Sequence, residues 1–271
     1  MKNKVKELSK ITTSIYHITF HSEIRSVYLF FKNCNFRCVG CIRKLSSWDL
    51  HLDNELLSAL EKMYGNNLDS LKTLTLHELE SVLSKIASYE RVEAILGGGE
   101  PTVDPTLPEV LSILNKLSLV PRLLTNGFSL TKEIISLIKR MNGSIVISIK
   151  TVDKYLHKVY TGADIDPILR NLNLCNELGV DLMVETIYIP GLIESREIEE
   201  IASLISSINP EIPMRIDAYI PVPRAKWKSP SREQLDEALA VAKSLLKTVR
   251  VLYPQSKVKG RVEVLWPPLK K

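Results

Sequence analysis

Short apolar segments alternate with amphipathic, helix-forming segments along most of the 271 residues. Apolar runs such as residues 27–31 and 144–149 are typical of buried strands, and the segments between such runs carry apolar residues on one helical face. Several helical segments begin at a capping-box pattern, namely Thr75-x-x-Glu78, Thr106-x-x-Glu109 and Ser231-x-x-Gln234. Six β-α units of this kind predict an α/β fold whose parallel sheet curls into a partial barrel with right-handed crossovers.

Three of the four cysteines lie within eight residues, directly after the first predicted strand. They are Cys34, Cys38 and Cys41, at spacings of four and three. Thiolates suit iron–sulfur clusters, and a cluster that only carries electrons normally has four cysteine ligands. Three thiolates on one loop can therefore hold three irons of a [4Fe–4S] cluster and leave the fourth iron open to a ligand that is chemically changed.

Other uses of the three cysteines stay open at this point. A tetrahedral zinc site would need a fourth ligand, for which Cys175, His51 or His77 is available. Zinc-binding loops usually come as two separate C-x-x-C pairs, and this chain has no second pair. A disulfide is disfavoured because an odd trio in one loop pairs poorly. We therefore favour the iron–sulfur interpretation.

A glycine-rich turn follows the predicted strand at residues 91–96. Its sequence is Gly97-Gly98-Gly99-Glu100-Pro101-Thr102. Because glycine has no Cβ atom, the backbone amides and carbonyls of such a turn can approach a ligand closely. Glu100 adds a carboxylate that can face a cationic group. A turn of this kind can also simply end a strand, so its value as a signal comes from its combination with the cysteines.

Five segments with candidate functional groups each lie just after a predicted strand. These segments are 34–41, 97–101, 125–127, Lys150 and 190–191. Parallel α/β folds gather their sites at the carboxyl ends of their strands. We therefore expect the five segments to converge at one mouth of the barrel.

The combination of C-x-x-x-C-x-x-C with the G-G-E-P turn resembles the signature of the radical S-adenosylmethionine (SAM) superfamily. The nearest similarity is to its glycyl-radical-enzyme activating branch, which includes pyruvate formate-lyase activating enzyme, over about residues 24–221. Looser matches continue along the chain at 48–49, 125–128, 149–150, His157, 161–162 and 189–191. The chain departs from that branch at Gly40, where the loop usually carries an aromatic residue. It also departs at Leu124 and Ser148, where that branch tends to have acidic residues.

The resemblance implies the six-unit open barrel of radical SAM enzymes, with one [4Fe–4S] cluster on the three loop cysteines and SAM as the second cofactor. It also implies that the amino and carboxylate groups of SAM chelate the open iron, and that one electron from the cluster splits SAM into methionine and a 5′-deoxyadenosyl radical. Residues 49–72 are interpreted as a helical insertion without cysteines. A single cluster is therefore expected.

The candidate SAM contacts are Gly98, Gly99, Glu100, Asn126, Ser148, Lys150, Glu185 and Pro190. Glu100 and the carbonyls of the two glycines would accept hydrogen bonds from the amino group, and Lys150 would neutralise the carboxylate. Glu185 has two open roles, since it can reach the ribose hydroxyls or pair with Arg215. Ser148 can equally be a satisfied strand serine, and Asn126 can belong to an ordinary turn.

Three further polar residues are candidates for substrate contacts. Arg215, Asp217 and Tyr219 alternate along the predicted strand at residues 214–220, so they are expected to share a face. If that face lines the barrel, these residues can contact a substrate. If it does not, they form a solvated face.

Net charge, apolar runs and the N-terminal residues give predictions about the partners and the cellular compartment of the protein. The net charge of +5 favours an anionic partner such as RNA, an acidic protein or a phosphorylated metabolite. No stretch approaches eighteen consecutive apolar residues, so no membrane span is expected. Residues 1–10 are rich in lysine and precede no apolar core, so no secretory signal is expected and a cytoplasmic location is predicted.

These observations lead to one leading hypothesis. The chain is expected to have an N-terminal segment at 1–23, the barrel at 24–248 and a basic C-terminal extension at 249–271. It is expected to cleave SAM reductively and to abstract hydrogen from a substrate, first as a glycyl-radical-enzyme activase. The expected partners are an electron donor such as ferredoxin or flavodoxin and a protein, peptide or RNA substrate, without DNA. The alternatives are radical modification of RNA or a peptide, and a non-catalytic, metal-binding interaction protein.

Overall fold

The computed structural model describes residues 10–253 and 260–269. Nine strands in these ranges form a single sheet. In chain order they are β1 (Ile15–His21), β2 (Ser26–Phe31), β3 (Glu93–Gly98), β4 (Val120–Thr125), β5 (Ser144–Ser148), β6 (Asp181–Tyr188), β7 (Met214–Ala218), β8 (Val249–Leu252) and β9 (Val262–Trp266). The order across the sheet is β8-β7-β6-β5-β4-β3-β2-β1-β9, so β8 and β9 are its edges.

Strands β2 to β8 run parallel to one another, whereas β1 runs antiparallel to both β2 and β9. The α-helices of the described residues are α1 (Asn54–Tyr64), α2 (Leu76–Ser84), α3 (Leu107–Lys116), α4 (Lys132–Arg140), α5 (Lys154–Thr161), α6 (Asp166–Leu178), α7 (Ser195–Ile208) and α8 (Arg232–Leu245). Each strand from β2 to β7 is followed by one or two helices, which makes six β/α units. The predicted α/β class and the open, parallel-rich sheet are confirmed.

The sheet has two faces: one packs against the helices, and the other is the inner face of the open barrel. Alternate residues such as Ile145 and Ile147 in β5 and Val184 in β6 are fully buried in the main apolar core. The intervening positions Ser148 and Glu185 are only half-buried. Because successive strand residues point to opposite sides of a sheet, these polar residues lie on the inner face, away from the packed helices.

Two of the three predicted capping boxes are confirmed and one is wrong. Thr75 and Ser231 each form the reciprocal pair of hydrogen bonds at the start of α2 and α8. Thr106 makes no cap to α3. Its hydroxyl instead donates to Asp104 Oδ1 at 2.7 Å, while Oδ2 of the same carboxylate accepts from the amide (2.7 Å) and hydroxyl (2.6 Å) of Ser14. The buried carboxylate of Asp104 therefore links the start of α3 to β1.

The sheet extends beyond the predicted barrel limits of residues 24 and 248. Strand β1 lies before the first limit and is buried along its whole length, although the sequence patterns did not predict it as a strand. Strands β8 and β9 lie after the second limit. Residues on both sides of each predicted boundary thus contribute strands to one sheet.

The predicted insertion at residues 49–72 contains α1 and a short 3-10 turn. Its apolar side chains form a second, smaller core with the inner side of β1 and with β9, and the buried members of this core are Tyr16, Trp48, Leu52, Leu60, Leu71 and Val262. The insertion therefore packs beside the antiparallel edge of the sheet.

Parts of the predicted terminal segments are outside the described ranges. These parts are residues 1–9, 254–259 and 270–271, and they include four lysines of the basic extension, Lys257, Lys259, Lys270 and Lys271. In the residues that are described, no helix combines the length and the apolar character needed to cross a membrane.

The link through Asp104 gives a test of the local packing. We expect Asp104→Ala to lower the free energy of unfolding by about 2–4 kcal/mol, because buried donors on Ser14 and Thr106 lose their acceptor. Glu109→Ala is the matched control, since Glu109 is exposed and would matter only if the predicted capping box existed. It should change the free energy by less than about 0.5 kcal/mol. Urea denaturation measures both values, and equal losses would contradict this assignment.

Candidate functional site

The loop that carries the three cysteines follows β2 and lies along the end of α5. The amide of Arg37 donates to the carbonyl of Thr161 at 2.8 Å, and the amide of Val39 donates to the carbonyl of Tyr160 at 2.9 Å. Phe36, in the same loop, packs edge-on against the buried ring of His157 at 6.0 Å between ring centroids. The loop is therefore anchored to the barrel on both sides of Cys38.

The three thiols are close enough in the loop to influence one another's pKa. Partial burial and the charge of Cys41 raise the pKa of Cys34, and burial with the same charge raises the pKa of Cys38 to about 11. Among the described residues, no three Cys, His, Asp or Glu side chains are already drawn together as a bound metal ion would hold them. The donor chemistry of the loop fits a cluster.

Two cations flank the thiols and favour their ionised form, which is the form that binds metal. The Lys150 ammonium lowers the pKa of Cys38, against the larger effect of burial. The Arg43 guanidinium lowers the pKa of Cys34 in the same sense. Arg43 also donates to the carbonyl of Lys32 at 2.9 Å. The sequence patterns did not single out Arg43, and the only signal for it is its position two residues after the third cysteine.

The glycine-rich turn after β3 lies directly against the segment that leads into the cysteine loop. The amide of Gly99 donates to the carbonyl of Phe31 at 2.8 Å, and the amide of Glu100 donates to that of Asn33 at 2.7 Å. A Cβ atom on Gly99 would lie 2.2 Å from the carbonyl oxygen of Asn33. Only glycine fits this close approach, so the turn and the cysteine loop are held side by side as the sequence predicted.

The carboxylate of Glu100 is buried, with 2% of the residue exposed, and it accepts four hydrogen bonds. Its Oε1 accepts from the hydroxyls of Thr102 and Thr125, both at 2.6 Å, and from the Thr102 amide at 3.1 Å. Its Oε2 accepts from the Asn126 amide at 2.6 Å. Burial raises the pKa of Glu100, and these hydrogen bonds oppose that effect. Glu100 thus joins the glycine-rich turn to the end of β4, and its Oε2 accepts one hydrogen bond where its Oε1 accepts three.

Asn126 extends this network to the cysteine loop. Its side-chain Nδ2 donates to Oδ1 of Asn35 at 2.7 Å, while its own Oδ1 accepts from the Phe128 amide at 2.9 Å. The second bond is that of an ordinary Asx turn. Asn126 therefore forms the ordinary turn and also links it to the cysteine loop, while its contact with SAM stays a prediction. Asn35 was not a candidate from the sequence, since nothing in the pattern of the loop distinguishes it.

A charged group occupies the inner face of β5, β6 and β7, where register places Ser148, Glu185 and Arg215 side by side. Arg215 binds Glu185 and also holds Asp217 through two bonds, at 2.7 Å from Nε and 3.0 Å from Nη2. The Ser148 hydroxyl donates to Glu185 Oε1 at 3.0 Å, and Lys150 Nζ lies 3.9 Å from the same oxygen. The predicted ion pair of Glu185 with Arg215 is present, and its contact with the ribose stays a prediction.

Asp217 is the member of this group with the most altered acidity. Burial and the nearby charge of Glu185 raise the pKa of Asp217 to about 6, even though Arg215 lowers it. A carboxyl group with such a pKa is partly protonated just below neutral pH.

Tyr219 lies apart from Arg215 and Asp217. Strand β7 ends at Ala218, one residue before it, so the expected alternation does not reach it. Its amide donates to the carbonyl of Tyr188 at 3.1 Å, and its side chain is completely buried in the main core. Tyr219 is therefore covered by other side chains in this structure, unlike Arg215 and Asp217, which are half-buried. Pro190 lies half-buried in the turn after β6, at the same end of the sheet as the cysteine loop.

The other ligands considered for zinc are engaged elsewhere. Cys175 is fully buried in the main core on α6, where burial raises its pKa to about 12. The ring of His51 lies 3.0 Å from the carboxylate of Asp49, and His77 is exposed on α2. These positions do not supply a fourth ligand beside the trio in the described residues.

Comparison with known proteins agrees with the fold and with the motifs. The family model of the radical SAM superfamily matches residues 28–205, which is more than half of the chain. The chain therefore belongs to the radical SAM superfamily, whose members use a [4Fe–4S] cluster and SAM. The predicted family and its cofactors are confirmed.

Individual relatives differ in their activities. A protein of Methanocaldococcus jannaschii, provisionally named as a glycyl-radical enzyme activating enzyme, is 25% identical over 217 residues, which cover 79% of this chain and 74% of that protein. GTP 3′,8-cyclase of Clostridium perfringens is 26% identical over 230 residues, covering 82% of this chain and 64% of the cyclase.

Two solved structures share the fold. SuiB of Streptococcus suis bound to S-adenosylmethionine has a TM-score of 0.62 and 15% identity over 82% of this chain, and the match spans about half (48%) of SuiB. A domain of pyruvate-formate lyase-activating enzyme from Bacteroides vulgatus has a TM-score of 0.51 and 19% identity over 58% of this chain and 97% of that domain. At such identities the similarity concerns the fold alone.

The raised pKa of Asp217 predicts a specific pH dependence of stability. The folded state binds a proton more readily than the unfolded state, so ionisation of Asp217 destabilises the fold. We expect the unfolding free energy of the parent, relative to that of Asp217→Asn, to rise as the pH falls from 7 through about 6 towards 4. Urea denaturation at a series of pH values measures this difference. A relative stability that falls over the same range would show an ordinary carboxylate stabilised by Arg215.

Proposed function

We propose that this chain is a radical SAM enzyme in which Cys34, Cys38 and Cys41 hold a single [4Fe–4S] cluster. The observation that carries the proposal is the contact between the cysteine loop and the glycine-rich turn, with Arg43 and Lys150 as cations beside the thiols. When bound, the cluster supplies one electron that cleaves SAM reductively to methionine and a carbon radical, which takes hydrogen from a substrate.

The protein side chains have distinct tasks in this proposal. Arg43 and Lys150 offset the negative charge of the thiolates, and Lys150 can also neutralise the carboxylate of SAM. The carbonyls of Gly98 and Gly99 would accept hydrogen bonds from its amino group, together with Glu100 Oε2, which accepts one hydrogen bond in this structure. Asn126 holds the turn and the cysteine loop in register.

The first choice of reaction is hydrogen abstraction from a glycine in a partner protein, as in the activating enzymes. Support comes from the motif similarity and from the M. jannaschii relative, which is similar over 79% of this chain. The second choice is radical modification of a peptide or of RNA. It is favoured by the net charge of +5 and by the shared fold with SuiB, which has been solved with its precursor peptide.

The proposed enzyme needs an electron donor, and we infer an acidic one-electron carrier such as ferredoxin or flavodoxin. Exposed basic residues lie in the cysteine loop and beside a tryptophan that packs on the neighbouring helix. Arg37 and Lys44 belong to the loop region itself, while Lys226 and Lys228 flank Trp227, whose ring packs against Tyr160. Positive charge around the loop would attract an acidic carrier at low ionic strength.

The cluster assignment is tested by substitution of each cysteine. We expect Cys34→Ala, Cys38→Ala and Cys41→Ala each to lose iron after anaerobic reconstitution, and to form no 5′-deoxyadenosine with dithionite and SAM. Cys175→Ala is the matched control, since this thiol is buried in the main core, and it should keep both iron and product. Iron analysis and chromatography measure the outcome. Zinc in the parent, without 5′-deoxyadenosine, would instead support the non-catalytic metal-binding protein.

The choice of substrate is tested with active enzyme in anaerobic cell extract. For the activase we expect an organic radical signal on a large protein, detected by electron paramagnetic resonance, that requires both SAM and the intact cysteine loop. Mass spectrometry of the extract with deuterated SAM tests the alternative, since a mass change on a peptide or on RNA would replace the activase proposal. The Cys38→Ala variant is the control for both measurements.

A further inference from the structure

Gly40, between the second and third cysteines, has no room for a side chain. A Cβ atom built on it would lie 2.6 Å from the hydroxyl oxygen of Tyr160 and 2.9 Å from Cε2 of Tyr219. Gly40 does not have the positive φ that favours glycine at other positions of the chain. Glycine is therefore required here because two tyrosines occupy the space, and not because of the backbone conformation.

The two tyrosines come from distant parts of the fold and are both buried. Tyr160 belongs to α5 and is 3% exposed, whereas Tyr219 follows β7 and is 0% exposed. The ring of Trp227 lies 6.2 Å from both rings, measured between centroids, and stands nearly perpendicular to that of Tyr219. The Tyr219 hydroxyl accepts a long hydrogen bond from the amide of Val222, at 3.4 Å. Packing therefore fixes the positions of both rings.

Tyr160 holds the cysteine loop through its backbone and through its side chain. Its carbonyl accepts a hydrogen bond from the amide of Val39, and its hydroxyl oxygen packs against the backbone of Gly40, where a Cβ atom would lie 2.6 Å away. The contact thus acts on the short segment that sets the separation of the second and third cysteines.

We propose that Tyr160 and Tyr219 are positioning residues for the cysteine loop, and that they supply from elsewhere in the fold the aromatic wall that the loop lacks at Gly40. Their rings close the space beside Gly40, and the Tyr160 hydroxyl packs against its backbone, so that the segment from Cys38 to Cys41 keeps one conformation. This inference rests on the proposed function, in which the trio holds the cluster. It also gives Tyr219 a role that its burial allows, in place of a contact with substrate.

The first test is Tyr160→Phe, which keeps the ring and removes only the hydroxyl. Groups that orient metal ligands typically change metal affinity about 10- to 100-fold, so we expect iron to be released from the reconstituted protein to a chelator at least about tenfold faster than from the parent. Tyr155→Phe is the matched control, since Tyr155 lies on the same helix but is 80% exposed, and its rate should equal that of the parent. Unchanged release from Tyr160→Phe would overturn the role of the hydroxyl.

A double substitution separates loop positioning from ordinary core packing. Gly40→Ala should release iron rapidly, because its methyl group collides with the Tyr160 hydroxyl. In the Tyr160→Phe background that oxygen is gone and the nearest atom of residue 160 is Cζ at 3.4 Å, so Gly40→Ala should accelerate release by a smaller factor there. If Gly40→Ala accelerates iron release by the same factor in both backgrounds, the two positions are not coupled, and this result would contradict the proposal.

Hydrogen exchange of the apoprotein distinguishes failure of this inference from failure of the proposed function. We expect the amides of Val39 and Gly40 to exchange at least about fivefold faster in Tyr160→Phe, because the loop loses its packing contact with the hydroxyl, while the amides of β3 keep the exchange rate of the parent. If the parent binds no iron, the cluster assignment fails, and the exchange rates still decide whether Tyr160 holds the loop. Equal exchange in parent and variant would overturn the inference even in a protein that binds iron.

Discussion

The geometry of the candidate site depends on the buried carboxylate of Glu100. A carboxylate removed from water is stable only when donors surround it, and Thr102, Thr125 and Asn126 provide these donors. The end of β4 must therefore meet the glycine-rich turn, and the side chain of Asn126 carries the connection on to Asn35. Three segments that are distant in sequence are thus held together by the protein itself.

Positive and negative groups of the site lie close together in two places, the cysteine loop and the inner face of the sheet. Around the cysteine loop, Arg43 and Lys150 face the thiols and oppose the effect of burial on their acidity. On the inner face, Arg215 stands between Glu185 and Asp217. A ligand that binds this inner face has to replace bonds that are already made, and a polar ligand can do so at lower cost than an apolar one.

Local patterns predicted most of the fold, and contacts between distant residues account for what they missed. The alternation of strands and helices gave six β/α units, and the cysteine trio with the glycine-rich turn indicated the superfamily. Strand β1 escaped prediction because it is buried on both faces and carries polar residues such as His17. The capping box predicted at Thr106 is absent because the Thr106 hydroxyl donates its hydrogen bond to Asp104 instead. The contact between Gly40 and its two tyrosines depends on three separate segments, so no local pattern contains it.

The central claim is that a trio of thiolates leaves one iron of a cluster open and that SAM occupies it. Electron paramagnetic resonance of the reduced, reconstituted protein tests this most directly, with and without SAM. We predict that SAM changes the iron signal of the parent, because it becomes a ligand of the open iron. An iron signal that is identical with and without a saturating amount of SAM would contradict the claim.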